Sequence, residues 1–384
     1  MKVISHRSLL PMLAAAVLAV SSCSDGSRID SGSSPFVTDV QHSAVKRQSI
    51  GNCWLYAKAS WVESLHLAAT SEEANMSESY WTWWHFYDQM VGSGIREIST
   101  GGNYYTSAGI ILEHGLVLEG EFLPGEADQQ MSAAQARAES FVNEALSSGG
   151  TLSRRQSRTP ENVRKVLDEA FGSNMAAAEA VSRPAAEFIV GKTEQGTEVS
   201  LAQALSGNNQ WNEVSFPRIS GKDSVPGPAI ERSRRALLRR VMKALNDRKP
   251  VIMSVMIDFN ALDTEDATFK KSKVDEAGVG HQGGHMVVLE DYVVTNVAGF
   301  DGPLPEGDLP EEVKTAALDG DLVLLKAKNS WGTDRPGRGL TDGYTRFDND
   351  YLTKQLAWKW SEDSDASQVS YYTTLNDFVL PPGY

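Results

Sequence analysis

Cysteine is scarce in this chain: 384 residues hold two, Cys23 and Cys53. No segment after the N-terminus is long and apolar enough to span a bilayer. Net positive charge is missing too. The formal charge is −14, which argues against nucleic acid and against electrostatic docking to anionic lipid. The seven histidines show no HExxH or comparable spacing, so no metal or cofactor is implied. There is no internal repeat. Strand and helix do not alternate, which disfavours a doubly wound parallel sheet.

What is present begins with MKVISHRSLLPMLAAAVLAVSSC. Lys2 and Arg7 form a short basic start, Leu9 to Val20 is apolar, and small residues lead into Cys23. This is the layout of a secretory signal over residues 1–22, too short for a spanning helix. Val-Ser-Ser-Cys also resembles a bacterial lipobox, which implies that Cys23 is lipidated and becomes the first mature residue. The expectation is an exported lipoprotein, anchored to a membrane on its periplasmic side or at the cell surface. Removing the signal makes the charge two units more negative. Residues 23–40, rich in Ser, Gly and Asp, read as a flexible tether. With Cys23 used by lipid, Cys53 is the one free thiol and no internal disulfide forms. Such a thiol is either buried and inert or kept for chemistry, and composition leaves both open.

Residues 41–384 read as one domain. A first part, about 46–125, is helical. Cys53 opens a helix in which Trp54, Ala57, Trp61, Leu65 and Ala68 recur on one face, with Asn52 as N-cap and Gly51 turning the chain into it. A second helix covers Glu78 to Val91, with aromatics on several faces. A Gly-rich turn, STGGNYY, precedes SAGIILEHG, a helix closed by Gly115. An insertion at about 126–228 carries helices over Met131 to Leu146 and from Thr159-Pro160 to Gly172. SSGGTLSRRQSR between them reads as an exposed loop, and Asn174 to Pro226 shows no pattern. From about 229 to 384 the chain is β-rich. Leu237, Leu238, Val241, Met242 and Leu245 form one helix face, with a solvated arginine face opposite. VIMSVMIDF, HMVVLEDYVV and DLVLLKAKN then read as strands. Helices first and strands later mean an α+β fold.

The chemistry centres on Cys53. A thiol is a strong nucleophile only as thiolate, and a helix N-terminus with a nearby histidine lowers its pKa. His285, which opens a strand after Gly283-Gly284, and His281, four residues earlier, are the rival partners. A third group must orient the imidazole. Asn329, in KAKNSWGT at the end of a strand, is an amide in a suitable place.

Gln-x-x-x-x-Cys-Trp, a later Gly-His before a strand and Lys-Asn-Ser-Trp-Gly together resemble the papain-like cysteine peptidases. The likeness is strongest to the bleomycin hydrolase and aminopeptidase C branch. GNCWLYA, MSESYWTWWHFYDQM, TGGNYYTSAGIILEHGLV, RKPVIMSVMIDF and NSWGTDRPGRGLTDGYTRFDNDYL carry it, over roughly 48–122 and 247–352. The resemblance implies a two-lobed fold, with cysteine on the helical lobe and histidine and asparagine on the β-rich lobe. It implies Cys53 as nucleophile, His285 as general base and then acid, and Asn329 as its orienter, sheltered by Trp331. Gln48 and the Cys53 N–H would form the oxyanion hole. Gly101, Gly102, Trp54 and Trp331 would form the substrate-binding surface for a peptide or protein.

The chain departs from the family in register: the oxyanion glutamine usually lies one place further from the cysteine, where Arg47 stands here. The branch is cytosolic, whereas this chain reads as exported. Its cleft-lying C-terminal tail has no counterpart after DFVLPPGY, which leaves endopeptidase and aminopeptidase action both open. Nothing between Cys23 and Cys53 reads as an inhibitory pro-region, so activity without processing is expected. Two other readings stand beside the peptidase. One is a peptide-binding lipoprotein that has lost turnover; the other is an amidase or acyltransferase acting on a non-peptide substrate.

Overall fold

Gly51 and Asn52 fix where the first helix, α1 (Cys53–Thr70), begins. A Cβ on Gly51 would lie 2.5 Å from Thr100 Oγ1, so a side chain there would have to displace Thr100. Asn52 occupies the N-cap but makes no capping hydrogen bond. Its amide instead donates to Thr82 Oγ1 (3.0 Å) and Gln135 Oε1 (2.9 Å), tying α1 to its neighbours. These details come from a computed structural model that describes residues 40–127, 129–302, 304, 310–359 and 369–384. The expected signal sequence, Cys23 and the tether as far as residue 39 lie outside the described residues.

The sequence pattern gave α1 one apolar face. It is in fact buried almost all round from Cys53 to Leu65, even at Lys58 and Glu63, while Ala68 is exposed. Its first turns therefore form a central helix, packed by α2 (Glu78–Met90) and α3 (Tyr104–His114), while α4 (Ala133–Leu146) and α5 (Pro160–Phe171) pack on each other and on α2. Ser77, Asn103, Ser132 and Thr159 cap these four by accepting from backbone N–H groups. Asn103 starts α3 three residues ahead of the expected SAGIILEHG run, and Gly115 closes it at φ 73.

The unpatterned stretch after Asn174 holds short elements: a helix at Met175–Val181, paired strands Ile189–Lys192 and Glu198–Ser200, and a turn of helix at Leu201–Leu205. Their apolar residues, with Trp211, join the core of the helical lobe. Residues 126–205 thus thicken that lobe. Strand Asn212–Ser215 crosses over to pair with Leu375–Leu380 at the sheet edge. The loop before α5 is mostly exposed, as expected, but Arg158 is buried and donates to Leu152 O (2.7 Å) and Ser93 O (3.2 Å).

The second lobe is an eight-stranded sheet with the order 212–215, 375–380, 251–258, 282–295, 321–328, 344–348, 268–269, 262–263. Every pairing is antiparallel except that of Thr268–Phe269 with Tyr344–Asp348. Helix Pro228–Asn246 covers it. One of that helix's arginines breaks the solvated-face expectation. Arg234 is buried over Phe216 and donates to Pro217 O and Thr353 O. The long strand Gln282–Thr295 is where the lobes meet. Met286 and Val288 face the helical core, whereas Val287 and Leu289 face the sheet core, as the two-residue period of a strand requires. The fold is α+β with two lobes.

An extended strap, residues 40–50, runs across both lobes. Val40 sits in the sheet core and donates its N–H to Glu290 O. Ser43 bonds Glu63 of α1 and accepts from Lys328 of the sheet. Lys46 is held by Glu78 at 2.9 Å, with Glu119 and Glu63 within 4 Å. These carboxylates keep the Lys46 ammonium charged in spite of its burial. Arg47 pairs with Trp331 and Met131, and Gln48 N–H donates to Ser330 O (2.9 Å).

Candidate active site

Cys53 opens α1 in the helical lobe, and His285 lies on the strand Gln282–Thr295 of the sheet. The start of α1 packs on that strand, and Cys53 shares the helical core with Met286, the residue next to His285, whose backbone N–H acts on the thiol. The His285 Nε2 is 2.8 Å from Asn329 Oδ1. Three contacts fix which way Asn329 points. Its Oδ1 also accepts from Ser330 N–H (2.7 Å), and its Nδ2 donates to Thr345 Oγ1 (3.2 Å). The oxygen therefore faces His285, Nε2 carries the proton, and Nδ1 is left as the basic nitrogen.

Trp331 stacks on the His285 ring with centroids 5.0 Å apart, and Phe259 stacks on Trp331 at 5.6 Å. His281 does not join this group. It is exposed, and its ring stacks on Phe259 at 6.1 Å. The loop ahead of His285 is anchored by buried Asp258, which accepts from Gly280 N–H (3.1 Å) and the Gln282 amide (2.8 Å).

The helix N-terminus was expected to lower the Cys53 pKa. Burial overrides it: the thiol is pushed up to about 11, against the smaller effect of its three backbone donors. Burial also pushes His285 down to about 4, helped by the charge of Arg338 and opposed by the Asn329 hydrogen bond. At neutral pH Cys53 is thus a thiol and His285 a neutral imidazole.

Gln48 is held between Ile50 and Ser330. Its Oε1 accepts from Ser330 Oγ at 2.5 Å and its Nε2 donates one proton to Ile50 O at 2.8 Å. The second amide proton has no partner in that arrangement. Gly101 and Gly102 are exposed, and the turn is held from below by Trp54, whose Nε1 donates to Thr100 O (2.9 Å). A Cβ on Gly102 would come within 2.5 Å of the Trp54 ring, whereas one on Gly101 meets nothing closer than 3.6 Å. Trp54 and Trp331 were grouped with the glycines as a binding surface. Both are buried, at 1% and 5% exposure, so they support the wall and the histidine from behind.

Sequence reasoning missed Phe259, Arg338, Ser330 and Thr345. Phe259 lies at the end of the VIMSVMIDF strand and Arg338 in the loop after Trp331; only the fold brings them to His285. Among the described residues, no three His, Cys, Asp or Glu side chains converge to hold a metal ion. No helix among them is long and apolar enough to cross a membrane.

No family model and no curated protein matches the chain. Solved structures do. A cysteine protease from Carica candamarcensis, CMS1MS2, solved in complex with E-64, shares 12% identity at a TM-score of 0.34, over 88% of this chain and 92% of that one. The bromelain protease of Ananas comosus with the same inhibitor shares 16% at 0.35, over 88% and 93%. A structure from work on antibody cross-reactivity between the mite allergens Blo t 1 and Der p 1 shares 13% at 0.33, over 87% and 67%.

Proposed function

We propose that this chain is a papain-like cysteine peptidase, of the bleomycin hydrolase and aminopeptidase C kind, exported and lipid-anchored at Cys23. One observation carries the catalytic reading. The one free cysteine among the described residues lies at a helix start, against the strand whose His285 is locked to Asn329. His285 Nδ1 takes the Cys53 proton as Sγ attacks the peptide carbonyl. The oxyanion is held by the Cys53 N–H and the spare Gln48 amide proton, each donor contributing on the order of 10²-fold or more. The imidazolium then gives its proton to the leaving amine, and the C–N bond breaks to leave a thioester on Cys53. Water, deprotonated by the same Nδ1, hydrolyses the thioester and restores the thiol. Asn329 keeps the ring in the one tautomer that serves both steps.

The test is labelling by a thiol-directed epoxide together with hydrolysis of fluorogenic peptides. Wild type reacts at Cys53 and cleaves; Cys53→Ala does neither. A folded wild type that cleaves no peptide would overturn the reading. The rival, a binding protein without turnover, has one observation on its side: the thiol is only 9% exposed. That protein would bind peptides and leave them intact. An acyltransferase would show itself by product that rises with added amine. The anchor is tested separately, by metabolic lipid labelling that Cys23→Ala abolishes.

A further inference from the structure

Three arginines, Arg47, Arg335 and Arg338, lie around the Trp331 edge of the site, close enough for their charges to act on one another, and no carboxylate pairs with them among the described residues. The Arg338 guanidinium lies 4.8 Å from the Trp331 ring centre and 4.6 Å from that of Phe259. Arg47 pairs with Trp331 through its backbone, and a Cβ on Gly332 would come within 3.4 Å of its Cδ. Arg335 is bonded to Leu340 in both directions, N–H to O, and Arg338 N–H donates to Arg335 O, so the loop that carries these two is pinned. Gly339 at φ 70 holds it down: a Cβ there would meet Thr264 O at 2.4 Å. All three arginines are partly exposed.

Their charges are felt. Burial, then Arg335 and Arg47, hold the Arg338 guanidinium below its usual value; burial and Arg47 do the same to Arg335. The chain as a whole is strongly acidic, so an unneutralised trio beside the reacting histidine is a local exception. Like charges kept together at a cost, and open to solvent, suit an anion.

We propose that Arg47, Arg335 and Arg338 bind a carboxylate on the leaving side of the scissile bond. The side follows from the mechanism above, on which this inference rests. The acyl part is bonded to Cys53, while the departing amine takes its proton from His285. The amine segment therefore extends past His285 and Trp331, toward the arginines. The carboxylate is either an acidic side chain next to the bond or the free C-terminus of a short leaving segment.

Two measurements on the full chain test this. The first compares kcat/KM for peptides that share one acyl part and differ after the bond: Glu against Gln, and free C-terminal carboxylate against carboxamide. At separations of several ångströms near the surface, each guanidinium favours the anion by up to about tenfold, weakening with salt. The Glu or carboxylate peptide is expected to lead by at least that factor, and Arg335→Gln and Arg47→Gln each to cut the lead several-fold. Which pair responds identifies the source. The second compares alkylation of Cys53 by iodoacetate and iodoacetamide, read by mass spectrometry and normalised to free cysteine. The anionic reagent is expected to gain in wild type and to lose that gain in Arg335→Gln. Ratios near one, or ratios unchanged in the arginine variants, overturn the site. If no peptide is cleaved yet the alkylation ratio still depends on arginine, the carboxylate site stands and the peptidase reading falls.

Discussion

Acid should loosen this fold through His285, and replacing His285 should remove that sensitivity. The imidazole titrates near 6.5 when free and near 4 in the folded chain. Between those values the unfolded chain binds a proton that the folded chain refuses, so stability falls as pH drops from 6.5 and the loss is complete near 4. At pH 4.5 the penalty comes to about 2–3 kcal/mol relative to pH 7. His42, half-buried with both ring nitrogens out of water and pushed down to about 3 by that desolvation and by Lys328, adds a penalty of the same sign. Urea unfolding of wild type and His285→Ala at pH 7 and pH 4.5 isolates the term. The variant starts less stable because of the cavity it leaves, but its further loss on acidification should be smaller by about 2–3 kcal/mol. An equal loss in both proteins would refute the neutral, buried imidazole. The same reasoning puts the acidic limb of peptide hydrolysis nearer pH 4 than 6.5. It also predicts no ultraviolet thiolate band at neutral pH that Cys53→Ala would abolish.

Asn329→Ala frees the imidazole to turn; losing a hydrogen bond of about 1.5–3 kcal/mol to a developing charge should lower kcat roughly ten- to hundredfold with KM little changed. Ser330→Ala unhooks the Gln48 amide and should lower kcat in the same direction as Gln48→Ala but by less, which steady-state kinetics on the pair will show. Gly102→Ala drives a methyl group into the Trp54 ring and should cost about 1–3 kcal/mol in thermal unfolding, while Gly101→Ala, with open space, should melt like wild type. Lys46→Met strands Glu78 without its partner and should cost about 3–5 kcal/mol at neutral pH, seen as a large drop in the urea midpoint.

The order of helices and strands was legible because α1, α2 and the strands at 251, 285 and 321 are long and strongly apolar. The stretch after Asn174 was not, because its pieces run from three to seven residues, too short for any period to register. The choice between His281 and His285 could not be made from spacing. It depends on the pairing of Val255 with His285 and on the turn that presents Asn329, both non-local. The protonation state of Cys53 was misjudged for a related reason. A helix start is visible in sequence, whereas the depth at which a second lobe closes over it is not. Arg234 and Arg158 show the same limit, since a buried guanidinium looks like a solvated one until the carbonyls around it are known.

The strap at 40–50 stitches the two lobes along one side of the site, from the sheet core at Val40 to Ser330 at Gln48. A hinge cannot work while it is sewn shut. To gape, the lobes would have to tear Lys46 from three glutamates and Ser43 from Lys328. The cleft is therefore a slot of fixed gauge. On the proposed peptidase reading, it selects by what slides in as an extended chain, and a folded protein must first offer it a loose end or a frayed loop.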